Sequence, residues 1–429
     1  MTTKKILFLG THGQYNIGDE LLLETFLSQL GNQHQYSVNS YNPAFTMAQL
    51  AGTYNVQVFH TTQNKRQLPA RILQNDLLFF GGGNIIKELY QSVGRNRYST
   101  LLMILMMVTF AHIFARKPII MSNIGVGPLQ TRLGHLLAKL ILRQVDYISV
   151  RDQKSHNTCC DLGLDRRKLH FVPDAVFAHD ASFFEIEQEE GLITLPLVAN
   201  ATSPVPISRL HSGQVWERGL GGEGELKIAL NLNYNIENPD NWDNFIDNLA
   251  QSLCDLAQQR PIEIHALPMQ MGFKAHDDLQ ILTAFRHKIT GIDVILHQPK
   301  TPQDIGQIIA ACDMVVAERL HTLIIAAILH KPFVALMYDV KVRELVKLLG
   351  MEEFAVDINH PFNPITLTHK LLALTERQHH LSAHLQARAS ALSEQVRRYF
   401  QAINQQIMMV NGTEKISDLP DASPTPLEM

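Results

Sequence analysis

Short β-rich apolar runs alternate with helical patterns in two separate blocks of this chain, and that alternation restricts the fold more than any other feature. In the first block the runs at 5–10, 76–80, 118–122, 147–150 and 169–172 are separated by helical patterns at 20–30, 101–115, 133–143 and 153–161. In the second, runs at 227–233, 262–267, 293–297, 313–317 and 333–337 alternate with helical patterns at 242–258, 278–288, 302–311, 320–329 and 341–349. Strands that are apolar throughout and followed by helices belong to parallel sheets covered on both faces.

Between the blocks the periodicity stops. Residues 182–225 hold an acidic cluster (Glu185, Glu187, Glu189, Glu190), prolines and a Gly219–Gly224 glycine run. The expected organisation is therefore an α/β domain at 1–181, a linker or mobile excursion at 182–226, and a second α/β domain at 227–364. C-terminal helices at 365–410 and a disordered polar tail at 411–429 follow. Two doubly wound parallel-sheet domains in tandem suggest a GT-B-like arrangement with a cleft between them. Ligands in such sheets sit beyond the carboxyl ends of the strands, so the chemistry is sought there.

A net charge of −4 gives no basic field for non-specific nucleic-acid binding. Cys159, Cys160, Cys254 and Cys312 have no metal-ligand spacing and suit a cytoplasmic protein with reduced thiols. The apolar stretch 101–115, flanked by Arg95, Arg97, Arg116 and Lys117 and interrupted by His112, is shorter than the roughly 20 residues of a spanning helix. It reads as a buried helix; the other reading is a membrane-surface patch over 98–117.

Candidate chemistry falls at strand ends. Gly10 to Glu20, following the first strand, offers glycines for a tight turn, Asp19 as a helix cap and free N–H groups for an anion or hydroxyl. Asn16 and Gly18 lie in this loop. Gly81-Gly82-Gly83-Asn84 follows another strand and allows close backbone approach, either as a sharp turn or as a ligand-facing loop. Ser122 to Pro128, Arg151-Asp152 and Pro173-Asp174 end further strands. Arg151 is read as half of a structural Arg–Asp pair or as an anion ligand.

The densest cluster is Glu318-Arg319-Leu320-His321, where a strand gives way to a helix. A guanidinium fork binds phosphate or carboxylate, a nearby histidine moves protons, and the helix terminus adds positive potential. Tyr338, Asp339 and Lys341 end the next strand and are expected to face the same crevice, and Gln270 with Asp277 and Asp278 ends another. No DxD or HExxH spacing occurs, so a mechanism without metal or cofactor is expected. The remaining histidines are read as surface residues.

Taken together, Asn16-Ile-Gly-Asp-Glu20, Gly81–Gly83, Gly125-Val-Gly-Pro128, Arg151-Asp152, Pro173-Asp174, Pro268-Met-Gln270, Arg319-Leu-His321 and Tyr338-Asp-Val-Lys341 resemble the polysaccharide pyruvyl transferase family. The resemblance runs in family order from about Lys4 to Gly350, and the long 182–225 excursion departs from it. It implies phosphoenolpyruvate as donor and a ketal-linked pyruvyl group on a cell-surface glycan, whose precursor can be polyprenyl-linked at the inner face of the membrane. It further implies that Arg319, Leu320 and His321 hold the donor, joined by Tyr338, Lys341 and Arg151, with His321 as general acid. Asp19, Glu20 and Asp339 are candidate bases. Asn16, Gly18, Gly82, Gly83 and Asn84 are assigned to the acceptor, which places it on the first domain. A nucleotide-sugar glycosyltransferase of the same architecture and a non-catalytic glycan-binding protein are the rival readings.

Overall fold

The computed structural model describes residues 3–89, 96–184, 224–234, 236, 238–273 and 276–409. The first sheet has seven parallel strands: β1 (Lys5–Leu9), β2 (Gln35–Ser40), β3 (Val56–His60), β4 (Leu77–Gly81), β5 (Ile119–Ile124), β6 (Tyr147–Val150) and β7 (Leu169–Phe171). Their spatial order is β3-β2-β1-β4-β5-β6-β7. Helices α1 (Ile17–Leu30), α2 (Pro43–Leu50), α3 (Leu68–Gln74), α4 (Ser99–Thr109), α5 (Arg132–Arg143) and α6 (Gln153–Asp161) connect them. Strands β4 and β5 are buried at every position, which explains the apolar runs Leu77–Phe80 and Ile119–Met121.

The second sheet has six parallel strands: β8 (Leu226–Asn231), β9 (Ile262–Ala266), β10 (Asp293–Leu296), β11 (Met314–Ala317), β12 (Phe333–Met337) and β13 (Ala355–Asp357). Their order is β10-β9-β8-β11-β12-β13. Helices α7 (Trp242–Ala257), α8 (Asp278–Lys288), α9 (Pro302–Ala311), α10 (Leu320–Ile328) and α11 (Val340–Leu349) cover it. The direction of winding reverses between β1 and β4 in one sheet and between β8 and β11 in the other, the two places where such sheets bind ligands.

The C-terminal helical region is two helices, α12 (Pro364–Glu376) and α13 (Gln378–Met409). Helix α13 returns to the first domain. The Tyr399 hydroxyl bonds Ser122 and Ser149 there, Phe400 meets Phe26 edge-on, and Asn404 donates to the Gln29 carbonyl at 2.7 Å. The core on one face of the first sheet is continuous with the core of the second. The tail from 411 and most of the 182–226 excursion (185–223) lie outside the described residues.

The apolar stretch near residue 101 is not buried all round. Helix α4 runs into a π-helical turn, Phe110–Ala115. Leu101, Ile104, Met107, Val108 and Ala111 enter the core, whereas Leu102, Met106, Ile113 and Phe114 face outward. Among the described residues no helix is long and apolar enough to cross a membrane.

Candidate active site in the interdomain cleft

The loop leaving β1 forms one wall. Asn16, not Asp19, caps α1: its Oδ1 accepts from the Gly18 N–H at 3.2 Å, and its Nδ2 donates to Asp19 Oδ2 at 2.9 Å. Asn16 is the last extended residue, from which its side chain reaches the first free N–H groups, and Asp19, already inside the helix, is left partly buried above the helix start. Burial raises its pKa, while Arg151, Asn16, Arg319 and Lys341 oppose the rise. Glu20 is turned inward. Its Oε1 accepts from the Gly13 N–H at 2.6 Å, and burial, with a further push from Asp19, raises its pKa to about 8 against that hydrogen bond. Glu20 therefore braces the loop.

The glycine loop after β4 is shaped mainly by packing. A Cβ on Gly81 would lie 2.1 Å from the Phe8 ring. Gly82, at φ 65°, abuts Leu22 and Phe26 and so turns to the core rather than to an acceptor. Gly83 also has positive φ (76°), with open space beyond van der Waals contact with Thr11 and Ile85. Asn84 lies against Gly125, and its Oδ1 is buried with no hydrogen bond.

The second domain supplies the opposite wall and touches the first. The Ile17 N–H donates to the Met269 carbonyl at 2.9 Å, Asn16 bridges Gln270, and the Gln270 amide donates to the Gln14 carbonyl at 3.2 Å. Arg319, at the N-terminus of α10, places its fork on Asp278, with Nε to Oδ2 at 3.0 Å and a second short bond to Oδ1. Gln270 Oε1 takes a further guanidinium proton at 3.3 Å. Arg319 is thus held in place by the β9–α8 connection and by β8 together, since its own N–H donates to Asn231 Oδ1 at the end of β8.

His321 crosses the cleft to sit on α1. A Cβ on Gly18 would lie 2.2 Å from its Nδ1, so Gly18 serves as the seat of an imidazole and not as an acceptor contact. The Nε2 of His321 is buried without a partner. Burial chiefly lowers its pKa to about 4; Asp174 opposes this, and Arg151, Lys341 and Arg319 add to it. Arg151 pairs with Asp174 at 2.7 Å, both side chains buried, while its neighbour Asp152 caps α6. Lys341 lies over the Tyr338 ring, 5.1 Å from its centre, and 3.3 Å from Asp339. Asp339 itself caps α11 through the Lys341 N–H at 2.8 Å, which occupies it as a base. Beside the His321 helix a cavity of about 270 Å³ is lined by Arg151, Asp174, Leu320, Lys341 and Lys347 among others.

One cleft cation has no sequence signal beyond being a lysine in an apolar loop. Lys87 lies in the field of Lys341, Asp19, Asp339 and Arg151, and burial, with Lys341 next, lowers its pKa. The other histidines are not all on the surface either. His12, His34, His170, His179 and His265 are buried, and composition alone carries no sign of it.

Residues 16–340 match the polysaccharide pyruvyl transferase family, well over half of the chain. The chain belongs to that family. The matched span contains both walls of the cleft, from Asn16 to Asp339. Solved structures with the same architecture include Anabaena HepE in complex with UDP-glucose (TM-score 0.58, 14% identity, covering 94% of this chain and 99% of that one). A Rickettsia africae glycosyltransferase (0.57, 11%, 95% and 100%) and the S. aureus MnaA–UDP co-structure (0.57, 11%, 97% and 100%) are similar in the same way. At these identities the likeness is one of fold, and it places the chain among GT-B-like proteins. As a polysaccharide pyruvyl transferase family member, the protein is a glycan-modifying transferase.

Proposed function

We propose that the protein transfers the pyruvyl group of phosphoenolpyruvate to two hydroxyls of a glycan sugar, forming a ketal and releasing phosphate. The observation that supports this most is an uncharged, unpartnered His321 Nε2 at a helix start, among Arg151, Arg319 and Lys341. The three cations are already paired with Asp174, Asp278 and Asp339, so it is the His321 nitrogen that lacks a partner. A donor carrying both phosphate and carboxylate brings negative charge beside it, offsetting the burial and the neighbouring cations that keep His321 neutral, so proton uptake accompanies donor binding. The imidazolium then gives its proton to the donor's methylene carbon, which becomes the methyl group. The electron-poor C2 takes a sugar hydroxyl, whose proton passes to Asp19, the one candidate base not closed off as a brace or cap. A second hydroxyl attacks C2, the C2–O bond to phosphate breaks, and phosphate leaves with the remaining proton. In this reading the second domain and Arg151 hold the donor, and the α1 loop with Gly83 and Asn84 faces the acceptor.

The test is phosphate release from phosphoenolpyruvate with a panel of lipid-linked and synthetic glycosides, comparing wild type with His321→Ala. The expected result is acceptor-dependent release that falls about 10²–10⁴-fold in the variant. Binding of a nucleoside diphosphate in place of phosphoenolpyruvate would instead establish a nucleotide-sugar glycosyltransferase.

A further inference from the structure

No aspartate or glutamate lies between Glu88 and Asp146, although the chain as a whole is net acidic. Within that stretch α4, its π-helical extension and α5 pack side by side, joined at their starts by a 3.0 Å hydrogen bond from the Tyr98 hydroxyl to Thr131. Their inner faces fill the core. Their outer faces carry two apolar rows: Leu102, Met106, Ile113 and Phe114 on one, and Leu133, Leu136 and Leu140 on the other. Met106 is 67% exposed, Phe114 72% and Leu136 51%, well beyond the scatter of single surface leucines. Arg116, Arg132 and Arg143 stand exposed at the ends of these helices. Helix α3, packed against the π-helical turn, adds exposed Leu73 and contains no acid.

We infer that this face docks the protein onto an anionic lipid surface, its apolar rows entering the acyl boundary and its arginines meeting headgroup phosphates. The combination of apolar rows and an exclusively basic rim is what such a surface selects. A second copy of the chain is the poorer occupant. A twofold contact would bring Arg116, Arg132 and Arg143 towards their own copies, with no acid in the segment to pair with them. Both helices follow strands whose carboxyl ends line the cleft, so α4 and α5 start at the cleft rim and the docking face begins there. Docking would hold the cleft beside the membrane, where a lipid-anchored glycan is presented. The inference does not depend on the identity of the donor.

The test is co-sedimentation of the full chain with vesicles of phosphatidylcholine alone and of phosphatidylcholine with phosphatidylglycerol. Binding to the anionic vesicles, weakened by salt, is expected. Met106→Asp with Leu136→Asp should reduce it at least about tenfold, while thermal unfolding and phosphate release with a water-soluble glycoside stay as in wild type. Absence of binding to the anionic vesicles, or binding that the double variant leaves intact, overturns the inference. So does a wild-type dimer that the double variant dissolves with no vesicle binding in either form. Because vesicle binding needs neither donor nor acceptor, its failure is separate from any failure of the pyruvyl-transfer reading.

Discussion

Gly18 and His321 meet across the cleft with no side chain between them: a Cβ on the glycine would lie 2.2 Å from Nδ1 of the imidazole. The start of α1 in one domain therefore sets the ring position of the proposed acid in the other. Gly18→Ala is expected to fold, because alanine is the better helix former. It should lower kcat/KM for phosphoenolpyruvate by about 10²-fold through misplacement of the ring. Steady-state kinetics with a melting curve on the same sample check both halves. A fully active Gly18→Ala protein would mean that His321 is free to move without cost.

Arg319 is committed to Asp278 before any ligand arrives, and Asp278 also accepts the Met269 and Gln270 N–H groups at 3.0 and 3.2 Å. Arg319→Ala leaves a carboxylate buried beside backbone donors only. A stability loss of about 3–5 kcal/mol is expected in denaturant unfolding. Arg319→Ala combined with Asp278→Asn should recover most of that loss, since the asparagine oxygen can still accept from the backbone. If Arg319 also contacts the donor, the double variant stays inactive. Recovery of both stability and turnover would make Arg319 a positioning residue alone.

Lys87 stands where its charge is costly, half-buried and facing Lys341 and Arg151 as well as Asp19 and Asp339. Lys87→Met should leave the melting temperature unchanged or raise it. If Lys87 meets an anionic donor, KM for phosphoenolpyruvate should rise about tenfold or more, as expected for a lost bond to a charged group. An unchanged KM would exclude Lys87 from the donor site.

The strands and helices that sequence reveals are those whose burial is uniform. β4 is apolar up to its closing glycine because both faces are covered. β2 is equally interior to the sheet but ends in Asn39 and Ser40, buried polar residues that no apolar pattern marks. They are tolerated because Asn39 exchanges two hydrogen bonds with the Gly10 backbone, at 2.8 and 2.9 Å, and Ser40 meets Thr46 at 2.8 Å. β3 and β13 are edge strands that are only partly covered, so neither carries the continuous apolar run of an interior strand.

In the site, Arg319 and His321 are legible because a strand end and a helix start fix their place. Which acid answers which base is not. Arg151 pairs with Asp174, 23 residues away, rather than with the adjacent Asp152, and Arg319 pairs with Asp278 across two strands. Those choices follow from packing between elements. Lys87 has no pattern at all, and only the fold brings it opposite Lys341.

Glu20 gives a test of the loop that needs no substrate. Its folded pKa of about 8 lies above the ordinary 4.5, so between these values the folded chain holds a proton that the unfolded chain releases. The stability this contributes is complete below about pH 4.5 and is lost as pH rises through about 8, at no more than about 1.4 kcal/mol per pH unit. Glu20→Gln has no such proton to lose and keeps an oxygen for the Gly13 N–H. The variant should therefore gain on wild type as pH rises from 5 to 8. His12 and His321, depressed in both proteins, lose stability in the opposite direction, on acidification below about 6.5, and cancel in the comparison. Urea unfolding of the two proteins at pH 5, 6.5 and 8 measures the gap; a constant gap would mean that Glu20 is ionised throughout. Turnover of Glu20→Gln within about tenfold of wild type is expected if the residue braces the loop, whereas a loss of general-base magnitude, about 10²-fold or more, would return Glu20 to the chemistry in place of Asp19.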